Sequence, residues 1–247
     1  MKVNMLVNGA ALVAHRSGAL FWPEQSMLMV ADLHLEKGSA RAATGHFLPP
    51  YDTAATLRRL GEVIAEFDPA TVVCLGDSFH DRAAEARLGE SDTAAIQALT
   101  DTREWLWVLG NHDPQPPQYL GGMGVGELQR CALTLRHQAY GGERGGEAGE
   151  VAGHLHPKAS VRLKGRRLTR RCFITDGLRL VLPAFGAYAG GLDVADPAFT
   201  AIFPKAFKVY LLGQDGVHAF PSNRLAQSPA ARSSEDGAVH RLAAKQP

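Results

Sequence analysis

The amino-acid sequence predicts a layered α/β fold, and two observations lead to this prediction. In the first half of the 247-residue chain, short apolar runs that end in polar turns alternate with helix-like stretches. After residue 150 the pattern becomes mostly strand-like. We therefore expect strands followed by helices in the first half and a second, more antiparallel sheet in the other half.

Each predicted element rests on a local pattern. Short apolar runs predict buried strands at residues 27–31, 71–75, 105–109, 133–135 and 150–152. Helices are predicted at 53–67, with Asp52 as the N-cap, and at 92–99 behind Ser91. Further strands at 160–163, 170–174 and 179–182 are separated by turns at Gly165 and at Asp176-Gly177.

The remaining segments define the predicted domain. The glycine-rich stretches 121–126 and 141–149 lack the spacing of a phosphate-binding fingerprint, so we expect surface loops without a catalytic role. Residues 222–247 are rich in Ala, Ser, Arg and Gln without periodicity and predict a poorly ordered tail. We expect residues 1–221 to form a single domain.

Composition excludes several classes of protein. The chain is 45% hydrophobic and 21% charged, which excludes general disorder, and its formal charge of +1 excludes a protein that coats nucleic acid by bulk charge. Cys74, Cys131 and Cys172 are widely spaced and odd in number, which fits neither a disulfide framework nor a thiolate zinc site. No run of 18 apolar residues or secretion signal is evident, so we expect a soluble cytoplasmic protein that does not contact a membrane.

Polar clusters follow the five predicted strands of the first group. They are Asp32-Leu33-His34, Gly76-Asp77, Gly110-Asn111-His112-Asp113, His137 and Gly153-His154-Leu155-His156. The carboxyl ends of strands in layered α/β folds meet at one crevice, so these side chains are expected to converge there. Carboxylates, an amide and imidazoles suit Mn²⁺, Fe or Zn²⁺ better than Ca²⁺. A two-metal site is thus predicted.

The spacing within two of these clusters leaves two local structures open. The i, i+2 pairs Asp32/His34 and His154/His156 would share one face of a continuing strand, or would reach a common point from a turn. Six of the ten histidines fall in or beside these clusters, counting His80. Histidines that were merely scattered through a core would not gather in this way.

The complete motif string D-x-H, G-D, G-N-H-[DE], H and G-H-x-H occurs in order between residues 32 and 156. In this respect the sequence resembles the calcineurin-like metallophosphoesterases. The resemblance implies a four-layer α/β/β/α sandwich with two mixed β-sheets. It also implies a metal-dependent phosphodiesterase with two divalent cations, for which Mn²⁺ is the first candidate and Fe or Zn²⁺ are alternatives.

The resemblance further implies roles for individual residues. The first implied metal site comprises Asp32, His34, Asp77 and His156. The second comprises Asp77, Asn111, His137 and His154, so Asp77 would bridge the two ions. His112 would contact the phosphate and help to protonate the leaving group after attack by a hydroxide held between the metals, with Asp113 orienting the His112 ring.

One departure from the family pattern concerns His80. Many relatives read G-D-x-x-D-R, whereas this chain reads Gly76-Asp77-Ser78-Phe79-His80-Asp81-Arg82. His80 therefore either lines the substrate side of the site or caps the following helix.

A narrower resemblance is to the bacterial ligase-associated subgroup of this family. It rests on residues 31–38, 48–53, 76–81, 153–157 and 182–191. This resemblance implies a DNA endonuclease in DNA repair, with a functional association with a DNA ligase and a helicase. No feature of the sequence indicates an oligomeric state.

Basic residues are concentrated directly after the last metal motif. Residues 158–171 contain seven basic residues and no acidic one, including Arg166, Arg167, Arg170 and Arg171. They predict either a track for a phosphate backbone or the solvated face of a hairpin. Lys37 and Arg41 would also reach phosphates if their segment is helical.

Two alternatives to a nuclease remain from the sequence. One is an enzyme that hydrolyses a small phosphate ester or a nucleotide, which a closed pocket would favour. The other is a scaffold that keeps the fold without catalysis, although every motif position is intact here.

Overall fold

The computed structural model describes residues 2–46, 49, 51–140 and 148–226. The strands are β1 (Val3–Val7), β2 (Ala10–Ala14), β3 (Leu20–Trp22), β4 (Met27–Val30), β5 (Thr71–Leu75), β6 (Glu104–Val108), β7 (Met123–Val125), β8 (Leu128–Arg130), β9 (Leu133–Arg136), β10 (Gly149–Ala152), β11 (Lys158–Leu163), β12 (Arg166–Thr175), β13 (Arg179–Val181), β14 (Lys208–Leu212) and β15 (Val217–Pro221). The α-helices are α1 (Lys37–Ala43), α2 (Asp52–Phe67), α3 (Ala84–Arg87), α4 (Glu90–Thr100) and α5 (Pro197–Ile202), and short 3₁₀ helices lie at Pro23–Gln25 and Ser222–Arg224.

The first sheet has seven strands in sequence order, β1 to β7. The pairs β1–β2, β2–β3 and β3–β4 are antiparallel. The pairs β4–β5, β5–β6 and β6–β7 are parallel. The parallel strands β4 and β5 are almost wholly apolar and buried, as expected for strands covered on both faces. Because β4, β5 and β6 point the same way, the loops that follow them lie at one edge of the sheet.

The second sheet has the order β15-β14-β12-β13-β10-β9-β8, and β11 pairs with β12 outside this path. Strands β9, β10 and β13 are parallel, while the other pairs are antiparallel. Both sheets are therefore mixed, as the family resemblance implies. Only residues 172–175 of β12 pair with β14, so the first half of β12 and all of β11 form a hairpin beyond the body of the sheet.

Three apolar clusters hold the layers together. The inner faces of the two sheets pack against each other through residues such as Leu12, Met29, Phe173 and Leu180. Helices α2 and α4 cover the outer face of the first sheet, and α5 covers the outer face of the second. The order of layers is helix, sheet, sheet, helix. No helix of the described residues is long and apolar enough to span a membrane.

The predicted strands of the first group lie within one residue of the observed ones, but three local predictions are wrong. Ser91 lies inside α4, whose N-cap is Gly89, and does not precede the helix. Asp52 is the first residue of α2 and not its N-cap, because its carboxylate accepts a hydrogen bond from the N–H of Gly38 at 2.9 Å. The stretch 121–126 contains β7 instead of forming only a loop. Gly124 allows this strand to pass close to Pro116, since a Cβ there would lie 2.5 Å from Pro116 Cβ.

Strands β1 and β2 form an N-terminal hairpin that the sequence analysis did not identify. Val7 pairs with Ala10 across a two-residue loop, Asn8-Gly9, with φ values of 47° and 82°. An Asn-Gly pair between alternating apolar residues is a strong signal for this hairpin. The information was therefore present in the sequence.

The ends of the predicted domain are only partly described. The 3₁₀ helix Ser222–Arg224 follows β15, and the N–H of Ala226 donates to the carbonyl of Ser160 at 2.7 Å. The first residues of the predicted tail thus contact the fold. Residues 227–247 and residues 141–147 of the second glycine-rich stretch lie outside the described residues, and the single domain over 1–221 stays a prediction.

The N-terminal hairpin offers a matched test of the core. Leu12 is fully buried between the sheets, whereas Leu6 on the neighbouring strand is 66% exposed. Leu12→Ala is expected to lower the free energy of unfolding by about 2–5 kcal/mol, because it removes buried methyl groups and leaves a cavity. Leu6→Ala is expected to change it by less than about 0.5 kcal/mol. Urea unfolding measures both, and equal losses would contradict the assigned register.

Candidate metal centre

The loops after β4, β5, β6, β9 and β10 meet between the two sheets. Hydrogen bonds join two of these loops directly, since the N–H of Asp32 donates to the carbonyl of Gly76 at 3.2 Å and that of His34 donates to the carbonyl of Asp77 at 2.9 Å. A third bond, from Gly153 N–H to the carbonyl of His137, joins the loops of the second sheet at 2.9 Å. The strand ends therefore converge as the sequence analysis expected.

The first group of side chains contains Asp32, His34 and His156. The Nε2 atoms of His34 and His156 lie 3.2 Å apart, and His156 Nε2 lies 3.3 Å from Asp32 Oδ1. The carboxylate of Asp32 also accepts the N–H of His154 at 3.0 and 3.1 Å. Asp32 is fully buried and His34 is 5% exposed, whereas His156 is partly exposed.

The second group contains Asp77, His137 and His154, with Asn111 beside them. His137 Nε2 lies 3.4 Å from Asp77 Oδ1, 3.0 Å from Asn111 Oδ1 and 3.1 Å from His154 Nδ1. The other ring nitrogen of His137, Nδ1, lies 2.9 Å from the carbonyl of Leu75 and donates to it. All seven predicted ligands are thus brought into two adjacent groups.

The chemistry of these atoms fits a bound cation. With the Nδ1 proton of His137 given to Leu75, Nε2 carries a lone pair and faces two oxygens that are also acceptors. In the first group, two imidazole nitrogens and a carboxylate oxygen likewise face one another. Such acceptors repel unless a proton or a cation lies between them. The mixed nitrogen and oxygen set fits a first-row divalent metal.

Strained backbone accompanies most of these residues. Of the eleven non-glycine residues with positive φ in the described ranges, five are candidate ligands. They are Asp32 (55°), His34 (45°), Asp77 (47°), His154 (72°) and His156 (49°). The i, i+2 pairs therefore lie in turns and not on continuing strands. Left-handed conformations of this kind are costly and cluster at functional sites.

The carboxylate of Asp113 organises the backbone beneath the site. Its Oδ1 accepts the N–H groups of Asp77 and Gly110 at 2.9 and 3.0 Å. Its Oδ2 accepts those of Ser78 and Phe79 at 2.7 and 3.2 Å. Four N–H groups thus converge on one buried carboxylate, which fixes the loop that carries Asp77.

The His112 ring is oriented differently from the expectation. Its Nδ1 donates to the carbonyl of His80 at 2.6 Å, whereas the hydrogen bonds of the Asp113 carboxylate go to the backbone. This is a correction to the role given to Asp113, which positions the loop and not the ring. His112 Nε2 lies 3.9 Å from Asp77 Oδ2, and the side chain is 39% exposed.

Burial and mutual charge shift several pKa values in the site. Burial and, to a smaller extent, the neighbouring His156 lower the pKa of His34 to about 3. Burial opposes ionisation of Asp77, but the hydrogen bond and charge of His137 outweigh it and bring the pKa of Asp77 to about 2. The pKa of His137 is raised, because its bond with Asp77 outweighs burial. Burial raises the pKa of Asp113 to about 6, against the backbone N–H bonds.

His80 lies at the rim of the first group. Its ring stacks on that of His112 with centroids 5.4 Å apart, and it meets the ring of His34 at 5.5 Å. Its Nδ1 is buried without a hydrogen-bond partner. Burial and the charge of Lys37 lower the pKa of His80. Lys37 and Arg41 are helical, as their predicted role requires.

The four predicted arginines of the basic segment are placed differently from one another. Arg166 is exposed at the tip of the β11–β12 hairpin, and Arg170 is also exposed. Arg167 lies 3.0 Å from Ser160 Oγ and 3.8 Å from the carboxylate of Asp193. Arg171 is half-buried and donates to the carbonyl of Ala184 at 2.7 Å. The four do not form one uniform surface.

Residues 184–186 support the site in a way that the sequence analysis did not identify. The N–H groups of Phe185 and Gly186 donate to the carbonyls of Ala31 and Asp32 at 2.8 and 3.1 Å. Arg59 donates to the carbonyl of Phe185 and lies over its ring. The segment thus holds the first ligand loop. No spacing in the sequence indicated this contact.

Two mixed sheets with paired carboxylate and histidine groups at the ends of their parallel strands define a metallophosphoesterase. The family model described as calcineurin-like phosphoesterase matches residues 26–175, and the chain belongs to this family. Members of the family use divalent metals and hydrolyse phosphoester bonds.

Solved structures add two comparisons. The Pseudomonas putida nuclease MPE is 26% identical, with coverage of 90% of this chain and 100% of that chain and a TM-score of 0.66. The phosphoesterase Yfce from E. coli is 14% identical, with coverage of 78% and 97% and a TM-score of 0.41. No curated protein matches the chain.

The contacts of Asp113 predict a large effect of a small change. In Asp113→Asn the amide keeps one acceptor oxygen, so at least two of the four N–H groups lose their partner. We expect a loss of about 2–4 kcal/mol in unfolding free energy, together with weaker metal binding. Urea unfolding and elemental analysis measure these quantities. Exposed Asp101→Asn serves as the control, and a fully metal-loaded, stable Asp113 variant would contradict the assigned role.

Proposed function

We propose that this protein is a two-metal phosphodiesterase that cleaves DNA as an endonuclease. The observation that carries the proposal is the convergence of two groups of side chains, one around Asp32 and one around Asp77. Within each group, imidazole nitrogens and carboxylate oxygens face one another. The match to a nuclease at 26% identity over the whole of that chain supports a nucleic acid as the substrate, and DNA is proposed from the narrower resemblance.

The proposed ligands divide between two ions. Asp32, His34, Asp77 and His156 would hold one ion, and Asp77, Asn111, His137 and His154 would hold the other. Bound divalent metals supply positive charge for the phosphoryl oxygens and lower the pKa of water from about 15.7 to about 7. Mn²⁺ remains the first candidate, with Fe or Zn²⁺ as alternatives.

His112 is proposed to deliver a proton to the leaving oxygen. Its Nδ1 is occupied by the carbonyl of His80, so Nε2 is the atom that gains and loses a proton. The side chain is partly exposed and Nε2 lies near Asp77. His112 lies outside the groups around Asp32 and Asp77, and it forms a third cluster with His34 and His80. A histidine held in this way acts as a general acid.

Positive charge beside the site fits an anionic substrate. The His80 ring, whose pKa is lowered, meets the rings of His34 and His112, and helix α1, which begins three residues after His34, carries the cations Lys37 and Arg41. Phosphate oxygens of DNA are attracted to such groups, and each contact releases a condensed counterion. His80 is therefore proposed as a substrate contact and not as a helix cap.

The wider biological setting is proposed on the basis of the narrower resemblance. Residues 31–38, 76–81 and 182–191 resemble the ligase-associated subgroup. The proposal therefore includes a role in DNA repair, a functional association with DNA ligase and helicase, and a cytoplasmic location.

Two variants distinguish the proposed metal ligand, Asp77, from the proposed proton donor, His112. Asp77→Asn is expected to lose metal and all activity, because Asp77 is the proposed ligand of both ions. His112→Asn is expected to keep its metals but to lose about 10²-fold or more in kcat, with a larger loss for poor leaving groups. Elemental analysis and turnover of DNA beside bis(4-nitrophenyl) phosphate measure this. A metal-free His112 variant would make His112 a ligand and contradict the assignment.

The substrate proposal is tested by adding Mn²⁺ to metal-stripped protein. We expect cleavage of labelled single-stranded and nicked duplex DNA, absent in Asp77→Asn. Turnover of bis(4-nitrophenyl) phosphate alone would instead indicate a small phosphate ester as the substrate. Absence of turnover with metal bound would indicate a scaffold.

A further inference from the structure

A groove of about 670 Å³ lies beside the β11–β12 hairpin. It is lined by Arg16, Lys158, Thr169, Arg170, Arg171, Leu212, Gly213 and Gln214. Four of these residues are basic, and among the described residues that line it none is acidic. The groove therefore has a single sign of charge although the whole chain is nearly neutral, with a formal charge of +1.

The groove begins next to the proposed metal ligands. Lys158 lies two residues after His156 and pairs with Arg171 in the hairpin register. A side chain at Gly191 would overlap with both the carbonyl of His156 and the side chain of Lys158, so the two lie against the same point. Arg171 is tied to the carbonyl of Ala184, whose neighbour Phe185 bonds to Ala31 in the first ligand loop.

The other end of the groove is formed by a distant part of the chain. Arg16 lies between β2 and β3 and donates to the carbonyl of Gln214 at 3.2 Å. Arg16 and Arg170 are exposed, and the hydrogen bonds of their guanidinium groups go to the backbone carbonyls of Gln214 and Thr169. Their charges are therefore available to an anion.

The arginines near the tip of the β11–β12 hairpin differ from those of the groove in their contacts. Arg167, which lies toward the tip, has Asp193 and Ser160 as partners, and Arg166 does not line the groove. Lys158 and Arg171 are the basic residues of the groove with contacts toward the ligand loops, through Gly191 and Ala184, whereas Arg170 and Arg16 bond to Thr169 and Gln214. Charges in this arrangement fit a chain of phosphates better than one isolated phosphate.

We propose that this groove binds the phosphodiester backbone of the DNA strand that leaves the metal site, with Arg16 and Arg170 as the outer contacts. The proposal rests on the proposed function and adds the path of the strand. Arg16, which the basic segment of the sequence does not include, thereby becomes part of the substrate site. A small phosphate ester would occupy the metal site without reaching these residues.

The test is the double variant Arg16→Ser with Arg170→Ser, with Mn²⁺ present. We expect about a tenfold lower kcat/KM for a single-stranded oligonucleotide at about 0.1 M salt, and a slope of log(kcat/KM) against log[salt] that is shallower by about 1.4. The kcat/KM for bis(4-nitrophenyl) phosphate is expected to stay unchanged. The matched control, Arg58→Ser with Arg224→Ser, removes two exposed arginines that do not line the groove.

The outcomes separate this proposal from the proposed function. An unchanged kcat/KM for DNA in the groove variant, or an equal loss in the control variant, would contradict the proposal that the groove binds the DNA strand. DNA cleavage by the wild-type protein would be unaffected by either result. Equal losses with DNA and with the chromogenic ester would also overturn it, since the variant would then have disturbed the metal site. A wild-type protein that hydrolyses only the chromogenic ester would overturn the DNA substrate itself.

Discussion

The buried carboxylate of Asp113 is the constraint on which the geometry of the site depends. It collects four backbone N–H groups, from Asp77, Ser78, Phe79 and Gly110, and so ties the loop after β5 to the loop after β6. Gly110 is required at this junction, because a Cβ there would overlap with the main chain and the carboxylate of Asp77. These contacts fix the position of Asp77, which lies in the group with His137 and His154.

The second constraint is the local strain of the ligand turns. Each left-handed non-glycine residue costs roughly 1–2 kcal/mol, and Asp32, His34, Asp77, His154 and His156 all adopt this conformation. The three apolar clusters stabilise the layers from which these turns project, and bonds such as that from Gly186 to Asp32 hold the turns in place. Rigid strands thus permit a strained arrangement in which alternate side chains reach one point.

Much of this could be predicted from the sequence, since buried strands and the residues that follow them leave clear local patterns. The positions of Asp32, Asp77 and His137 at strand ends, and hence their convergence, required only the parallel order of the strands. The role of Asp113 could not be predicted, because its partners are backbone groups that carry no residue signature. Arg16 was missed for a similar reason, since more than 150 residues separate it from Arg170 and Arg171. By contrast, the N-terminal hairpin has a local signal in the sequence, the Asn8-Gly9 pair between alternating apolar residues.

Both sheets contribute residues to the site. Strands of the first sheet precede Asp32, His34, Asp77 and Asn111, and strands of the second sheet precede His137, His154 and His156. Ions held by the proposed ligands would act as a cross-link between two halves of the chain. Because neither half contains a complete ligand set, a nascent chain cannot assemble the centre before residue 156 has been made. Hydrolytic capacity would then arise only after the two sheets have docked.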